Sequence, residues 1–133
     1  MKKSLILLLL LSGMLFSQFQ PQNTAELQTA VDIWVDDNST ALSTYGEINT
    51  WDVSLITDME SLFSDKATFN DDISAWDVSN VQDMSFMFLG ASSFNGDIST
   101  WDVSNVTKME GVFINAPIFN QDLSSWDVSS VTI

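Results

Sequence analysis

Trp51, Trp76, Trp101 and Trp126 stand 25 residues apart, and the apolar and polar positions between them recur in one order. In that frame residues 51–75, 76–100 and 101–125 are three full units, and 126–133 opens a fourth. Ten of the 25 columns are identical in the three full units (Trp, Asp, Val, Ser, Met, Phe, Phe, Asn, Asp and Ser), which excludes coincidence. A period of this length marks an array of small units. None can bury its apolar side alone, so each must stack on its neighbours.

Within a unit, residues 72–78 place β-branched and aromatic residues among short polar ones, which predicts a short strand. The three-residue step from Ile73 to Trp76 interrupts its alternation. Ser79 then offers a helix N-cap, and Val81, Met84 and Phe88 follow at helical spacing, with Met87 widening the stripe. Ile56, Met59, Phe63 and Val106, Met109, Phe113 are the equivalent sets, and Gly90 and Pro117 end the helical piece. One strand and one short helix per unit predict an α/β fold. The expected form is a leucine-rich-repeat-like right-handed solenoid of short parallel strands and short helices, with an N-terminal capping helix.

Stacking turns each column into a ladder. The expected core is the Trp51, Trp76, Trp101, Trp126 spine with the Phe63, Phe88, Phe113 and Phe69, Phe94, Phe119 columns. Met59, Met84 and Met109 fill it as flexible side chains. Asn70, Asn95 and Asn120 are expected to form a turn ladder, their side chains bonding backbone at the entry to each strand. The aromatic columns could alternatively form a sugar-stacking face.

The segment before the array reads differently. Residues 1–17 join Lys2 and Lys3 to an apolar run too short to span a bilayer. They are read as a cleaved secretory signal peptide, cut after Ser17. In 18–50, Asn23 and Glu26 have capping-box spacing, and Leu27, Ala30, Val31 and Trp34 lie on one face. Residues 24–35 are therefore expected to be a helix capping the first coil, and 45–49 match the tail of a unit as a half-repeat. The chain stops at Ile133 partway through a unit, which reads as a fragment of a longer array.

Composition narrows function. With 18 acidic and 4 basic side chains the formal net charge is -14, which disfavours binding to nucleic acid or to anionic lipid. Cleavage after Ser17 would leave Lys66 and Lys108 as the only cations and exclude later membrane insertion. There is no Cys and no His, so disulfides, thiolate chemistry and the commonest general base are absent. Asp52, Asp77, Asp102 and Asp127 form one acidic column and Asp72, Asp97 and Asp122 a second. These columns read as turn caps or as calcium ligands, and turn capping is preferred because the spacing matches no calcium loop. Every unit repeats the same carboxylates, whereas an active site needs a differentiated pair, so no enzyme is expected. Neither metal nor cofactor is expected.

The residues Phe94, Asn95, Asp97, Ile98, Ser99, Trp101, Asp102, Val103, Ser104, Asn105, Val106, Thr107, Met109, Phe113 and Ala116 carry a wider likeness. Their pattern resembles the BspA-like leucine-rich-repeat surface proteins, also described as DUF285. The resemblance implies an extracellular or cell-surface protein, often bacterial and sometimes linked to adhesion, with no catalytic residues to transfer. The expected function is thus a secreted or cell-surface module that recognises a protein or glycan. Its variable faces would be Leu55/Asn80/Asn105, Glu60/Ser85/Glu110 and Asp71/Gly96/Gln121. A structural spacer in a larger surface protein is the alternative.

Overall fold

A computed structural model describes residues 17–133; the expected signal segment lies outside the described residues except for Ser17. Helix α1 spans Thr24–Asp36. The Asn23 side chain caps it by accepting from the Glu26 N–H at 2.9 Å, while Glu26 Oε2 accepts from the Gln22 N–H at 2.8 Å. The chain turns at Asp37, whose carboxylate accepts from the Thr40 N–H, and continues as helix α2, Asn38–Tyr45. A single 3₁₀ turn, Ile48–Thr50, leads into the repeats. Leu27, Ala30, Val31 and Trp34 of α1 and Ala41 of α2 are buried.

The expected leucine-rich-repeat-like right-handed solenoid is not what forms, and the strand and helix assigned to each unit are both corrected. Among the described residues the array has no strand and no helix, only isolated parallel bridges joining Asp58 to Asp83 and Asp83 to Lys108. Each 25-residue coil is instead a succession of tight turns. The three-residue step that disturbed the strand reading is itself a turn: the Trp76, Trp101 and Trp126 N–H groups donate to Ile73, Ile98 and Leu123 O at 3.2, 3.2 and 3.0 Å. Val81 and Val106 bond back to Val78 and Val103 at 2.9 and 3.0 Å, and Phe94 to Ala91 at 3.1 Å, in the same way.

Left-handed backbone explains why the helical stripe is not helical. Phe86 and Gly90 have φ of 57° and 68°, their equivalents Ser61 and Asp65 have 59° each, and Gly111 and Asn115 have 61° and 57°. Two such residues per unit, four apart, cannot belong to a right-handed helix. Alternate N–H groups along this stretch turn outward to the next coil. Met59, Ser61, Phe63 and Asp65 donate to Asp83, Ser85, Met87 and Leu89 O at 2.9, 2.9, 2.9 and 2.7 Å. Met84, Phe86, Phe88 and Gly90 repeat the series to Lys108, Glu110, Val112 and Ile114 at 2.9, 2.8, 3.0 and 2.8 Å. Backbone groups that a helix would satisfy internally are satisfied between coils.

The core lies inside the stacked turns. Trp51, Trp76, Trp101, Phe63, Phe88, Phe69, Phe94, Met59 and Met84 are buried, while Trp126, Phe113, Phe119 and Met109 of the last coils are partly buried. Phe63 and Phe88 stack at 5.4 Å between ring centroids, Phe88 and Phe113 at 5.8 Å, and Phe69 and Phe94 at 5.8 Å. The tryptophans add a polar rung to the apolar one. The Trp76, Trp101 and Trp126 Nε1–H groups donate to Ile48, Ile73 and Ile98 O of the preceding turn at 2.8, 3.1 and 3.0 Å.

Helix α1 lies along the first coil in register. Thr24 Oγ1 donates to Asp58 O at 2.8 Å, Gln28 Nε2 to Leu62 O at 3.1 Å, and Lys66 Nζ pairs with Asp32 Oδ1 at 2.8 Å. The three helix residues are one turn apart, so helical rise matches the pace of the coil. Asp58 O and Leu62 O correspond to Asp83 O and Met87 O, which in the next coil accept backbone N–H groups. Side chains of α1 thus take the place of a preceding coil.

Candidate recognition surface

The invariant polar columns are tied into the scaffold. Asp52, Asp77, Asp102 and Asp127 each accept the N–H of the serine two residues on (Ser54, Ser79, Ser104 and Ser129) at 3.0 Å. Asp72, Asp97 and Asp122 do the same to Ser74, Ser99 and Ser124 at 2.9, 3.0 and 2.9 Å. The serine hydroxyl and then the serine N–H hold the carboxyls of Asp52, Asp72, Asp97, Asp102, Asp122 and Asp127 below the usual aspartate value. Asp97 pushes Asp72 upward, and Asp127 pushes Asp102, but these repulsions are smaller than the serine bonds.

The asparagine ladder runs between coils. Asn70 Oδ1 accepts the Asn95 N–H, and Asn95 Oδ1 the Asn120 N–H, each at 2.8 Å; no strand follows, so the turn-into-strand role expected for Asn70, Asn95 and Asn120 is corrected to a coil-to-coil link. Two supposedly variable columns are scaffold as well. Asn80 and Asn105 donate from Nδ2 to Ser54 O and Ser79 O at 2.7 Å, and Gln121 donates to Asn95 O at 2.9 Å. Ser85 is buried and interrupts the Glu60/Ser85/Glu110 face. The aromatic columns point inward rather than to a sugar.

An open notch crosses three coils. A cavity of about 220 Å³ is lined by Thr57, Asp58, Gln82, Asp83, Thr107 and Lys108. Asp58, Glu60 and Asp83 each bring one carboxylate oxygen within 4.8 Å of the others. Asp58 Oδ1 accepts the Glu60 N–H at 2.8 Å, Asp83 Oδ1 the Ser85 N–H at 2.9 Å, and Lys108 Nζ lies 3.4 Å from Asp83 Oδ2. Partial burial pulls the Asp83 carboxyl upward, but the Ser85 N–H and hydroxyl together with Lys108 leave it below the ordinary value. Such a notch, with carboxylates, amide and hydroxyls from successive coils, suits hydrogen-bond donors on a partner. In the sequence, columns 57/82/107 and 58/83/108 differ between units, Gln82 standing between Thr57 and Thr107 and Lys108 following Asp58 and Asp83.

Among the described residues no helix is long and apolar enough to cross a membrane. Residues 25–133 match the family described as Mycoplasma protein of unknown function, DUF285, and the chain belongs to that family. The leucine-rich-repeat and BspA-like part of the resemblance has no support, because the units contain no strand. No curated protein and no solved structure matches the chain.

Proposed function

We propose that this DUF285 chain is a non-catalytic recognition module, acting outside the cell or at its surface, that binds a protein or glycan through the notch at Asp58, Gln82 and Asp83. One observation carries the reading: side chains from three successive coils, Asp58, Gln82, Asp83 and Lys108 among them, converge on one open cavity. Rigid coils on either side hold that geometry without prior ordering, which favours affinity.

The test is a panel of surface proteins and neutral glycans immobilised and titrated with the full chain. Saturable binding that weakens about tenfold or more (1.4 kcal/mol) in an Asp58→Asn, Gln82→Ala double variant supports the module. No saturable binding to any panel member transfers the case to a structural spacer.

A further inference from the structure

A second site of different chemistry stands beside α1, built by residues that the repeats do not supply. Phe19 and Tyr45 pack with ring centroids 4.5 Å apart and planes tilted by 49°. Both rest edge-on against the buried Trp51, at 5.3 and 5.7 Å. Each remains half-buried. The pair forms a ridge between two hollows. One, of about 480 Å³, is lined by Phe19, Asn23, Ala25, Glu26, Thr29 and Tyr45. The other, of about 400 Å³, is bordered by Gln18, Thr44, Gly46 and Thr50 as well as the two rings. Both volumes fall in the roughly 300–1,000 Å³ range of small-molecule sites.

The ridge is held in place from the first coil. The Asp52 N–H donates to Phe19 O at 2.9 Å, Gln18 Nε2 to Thr50 O at 2.6 Å, and Gln20 Nε2 to Asp52 Oδ2 at 2.7 Å. Segment 18–20 is therefore pinned on both sides of Phe19. The polar rim is equally fixed: Asn23 Oδ1 is committed to the Glu26 N–H and Glu26 Oε2 to the Gln22 N–H. That leaves the Asn23 amide N–H groups and Glu26 Oε1 as the donor and acceptor available to a ligand.

We infer that the Phe19–Tyr45 ridge binds a neutral oligosaccharide. Aromatic faces offer apolar area to the C–H faces of pyranose rings, and the tyrosine adds a hydroxyl at the edge. An amide, a carboxylate and hydroxyls around them match sugar hydroxyls, which both donate and accept. Among the described residues no cationic side chain lines either hollow, and Glu26 sits at the rim of the larger one, so sulfated or carboxylated sugars are repelled there. The site is separate from the coil notch, and its outcome is independent of the reading given for that notch.

The experiment is calorimetric titration of the full chain with cellotriose, chitotriose and mannotriose, and with a sulfated disaccharide. At least one neutral trisaccharide binds with a Kd of about 1 mM or tighter. Tyr45→Ala weakens it about tenfold or more. Because Tyr45→Ala also removes a contact with Trp51, Thr29→Arg serves as the second variant. It changes an exposed position of α1 to a residue of higher helix propensity and fills the larger hollow. It abolishes the heat while leaving the circular dichroism spectrum unchanged, and the Asp58→Asn, Gln82→Ala protein binds as the wild type does. Absence of binding by all three neutral sugars, indifference to Thr29→Arg, or preference for the sulfated sugar overturns the inference.

Discussion

Replacing Trp76 by alanine tests the logic of the stacked turns most directly. Trp76 is 3% exposed, its ring lies 6.3 Å from that of Trp51 and 5.8 Å from that of Phe63, and its indole N–H donates to Ile48 O at 2.8 Å. Opening a cavity of that size costs about 3–5 kcal/mol. The lost indole bond adds about 1 kcal/mol, the Ile48 carbonyl keeping only the Trp51 N–H at 3.2 Å. The expected loss is about 4–6 kcal/mol, comparable to the whole stability of many small domains at roughly 5–15. Trp76→Phe keeps an aromatic body and removes the donor, so it should cost only about 1–3 kcal/mol. Trp126 makes the same bond, to Ile98 O at 3.0 Å, but is only partly buried, so Trp126→Ala should cost about half as much as Trp76→Ala. Urea denaturation followed by circular dichroism gives the three values, provided the slope is unchanged. Equal costs at Trp76 and Trp126, or a loss below about 1 kcal/mol at Trp76, would refute the picture of a buried rung shared by adjacent coils.

Three further expectations concern backbone and charge. Gly90→Ala places a Cβ on a residue at φ 68°, 2.3 Å from the Asp65 side chain; that side chain is exposed and can turn away, so the left-handed backbone dominates. The cost is about 1–2 kcal/mol in urea, and Gly90→Asn should cost less than half as much; a neutral alanine variant contradicts the left-handed assignment. The aspartates held low by their serines have folded values below the ordinary 3.8, so their contribution is complete above that value and declines as pH falls through the folded value. Thermal midpoints should therefore be level at neutral pH and drop in acid below about pH 4. Asp102→Asn keeps the turn acceptor and should shrink that drop; an unchanged acid profile would count against the linkage. At the Asp58, Glu60, Asp83 notch, two oxygens already accept backbone N–H groups and Lys108 supplies a cation. Millimolar calcium and sodium of matched ionic strength should thus raise the midpoint alike, and a saturable calcium-only rise lost in Asp83→Asn would show a dedicated site.

The period was readable because identical columns must occupy identical environments, and the 25-residue spacing of the tryptophans is also the spacing that joins Gln82 N to Thr57 O and Thr107 N to Gln82 O. The conformation inside a unit was not readable in the same way. Val81 and Met84, three apart, sit on one side of a helix, but they sit equally well at the ends of tight turns. The discriminating signal was at 65, 90 and 115, where Asp, Gly and Asn are residues that tolerate left-handed backbone. Phe86 hid the companion column, since a bulky aromatic at φ 57° contradicts local preference and is held there by bonds between coils. Helix α2 escaped notice because only Ala41 of its eight residues is buried, which leaves no apolar stripe. The notch was invisible for another reason: Asp58, Glu60 and Asp83 meet only once two coils are stacked.

The matching of α1 to the first coil also covers one end of the stack. A row of unoccupied carbonyl oxygens, evenly spaced along a flat face, is a template on which another polypeptide can be laid down and from which ordered aggregates grow. Thr24 and Gln28 reach two of the oxygens in that row, and the Lys66–Asp32 pair fastens the helix beyond them. Edge-to-edge addition is opposed on that side. The helix therefore does for this end of the stack what a covering helix does for the edge of a sheet: it denies the row to a second chain.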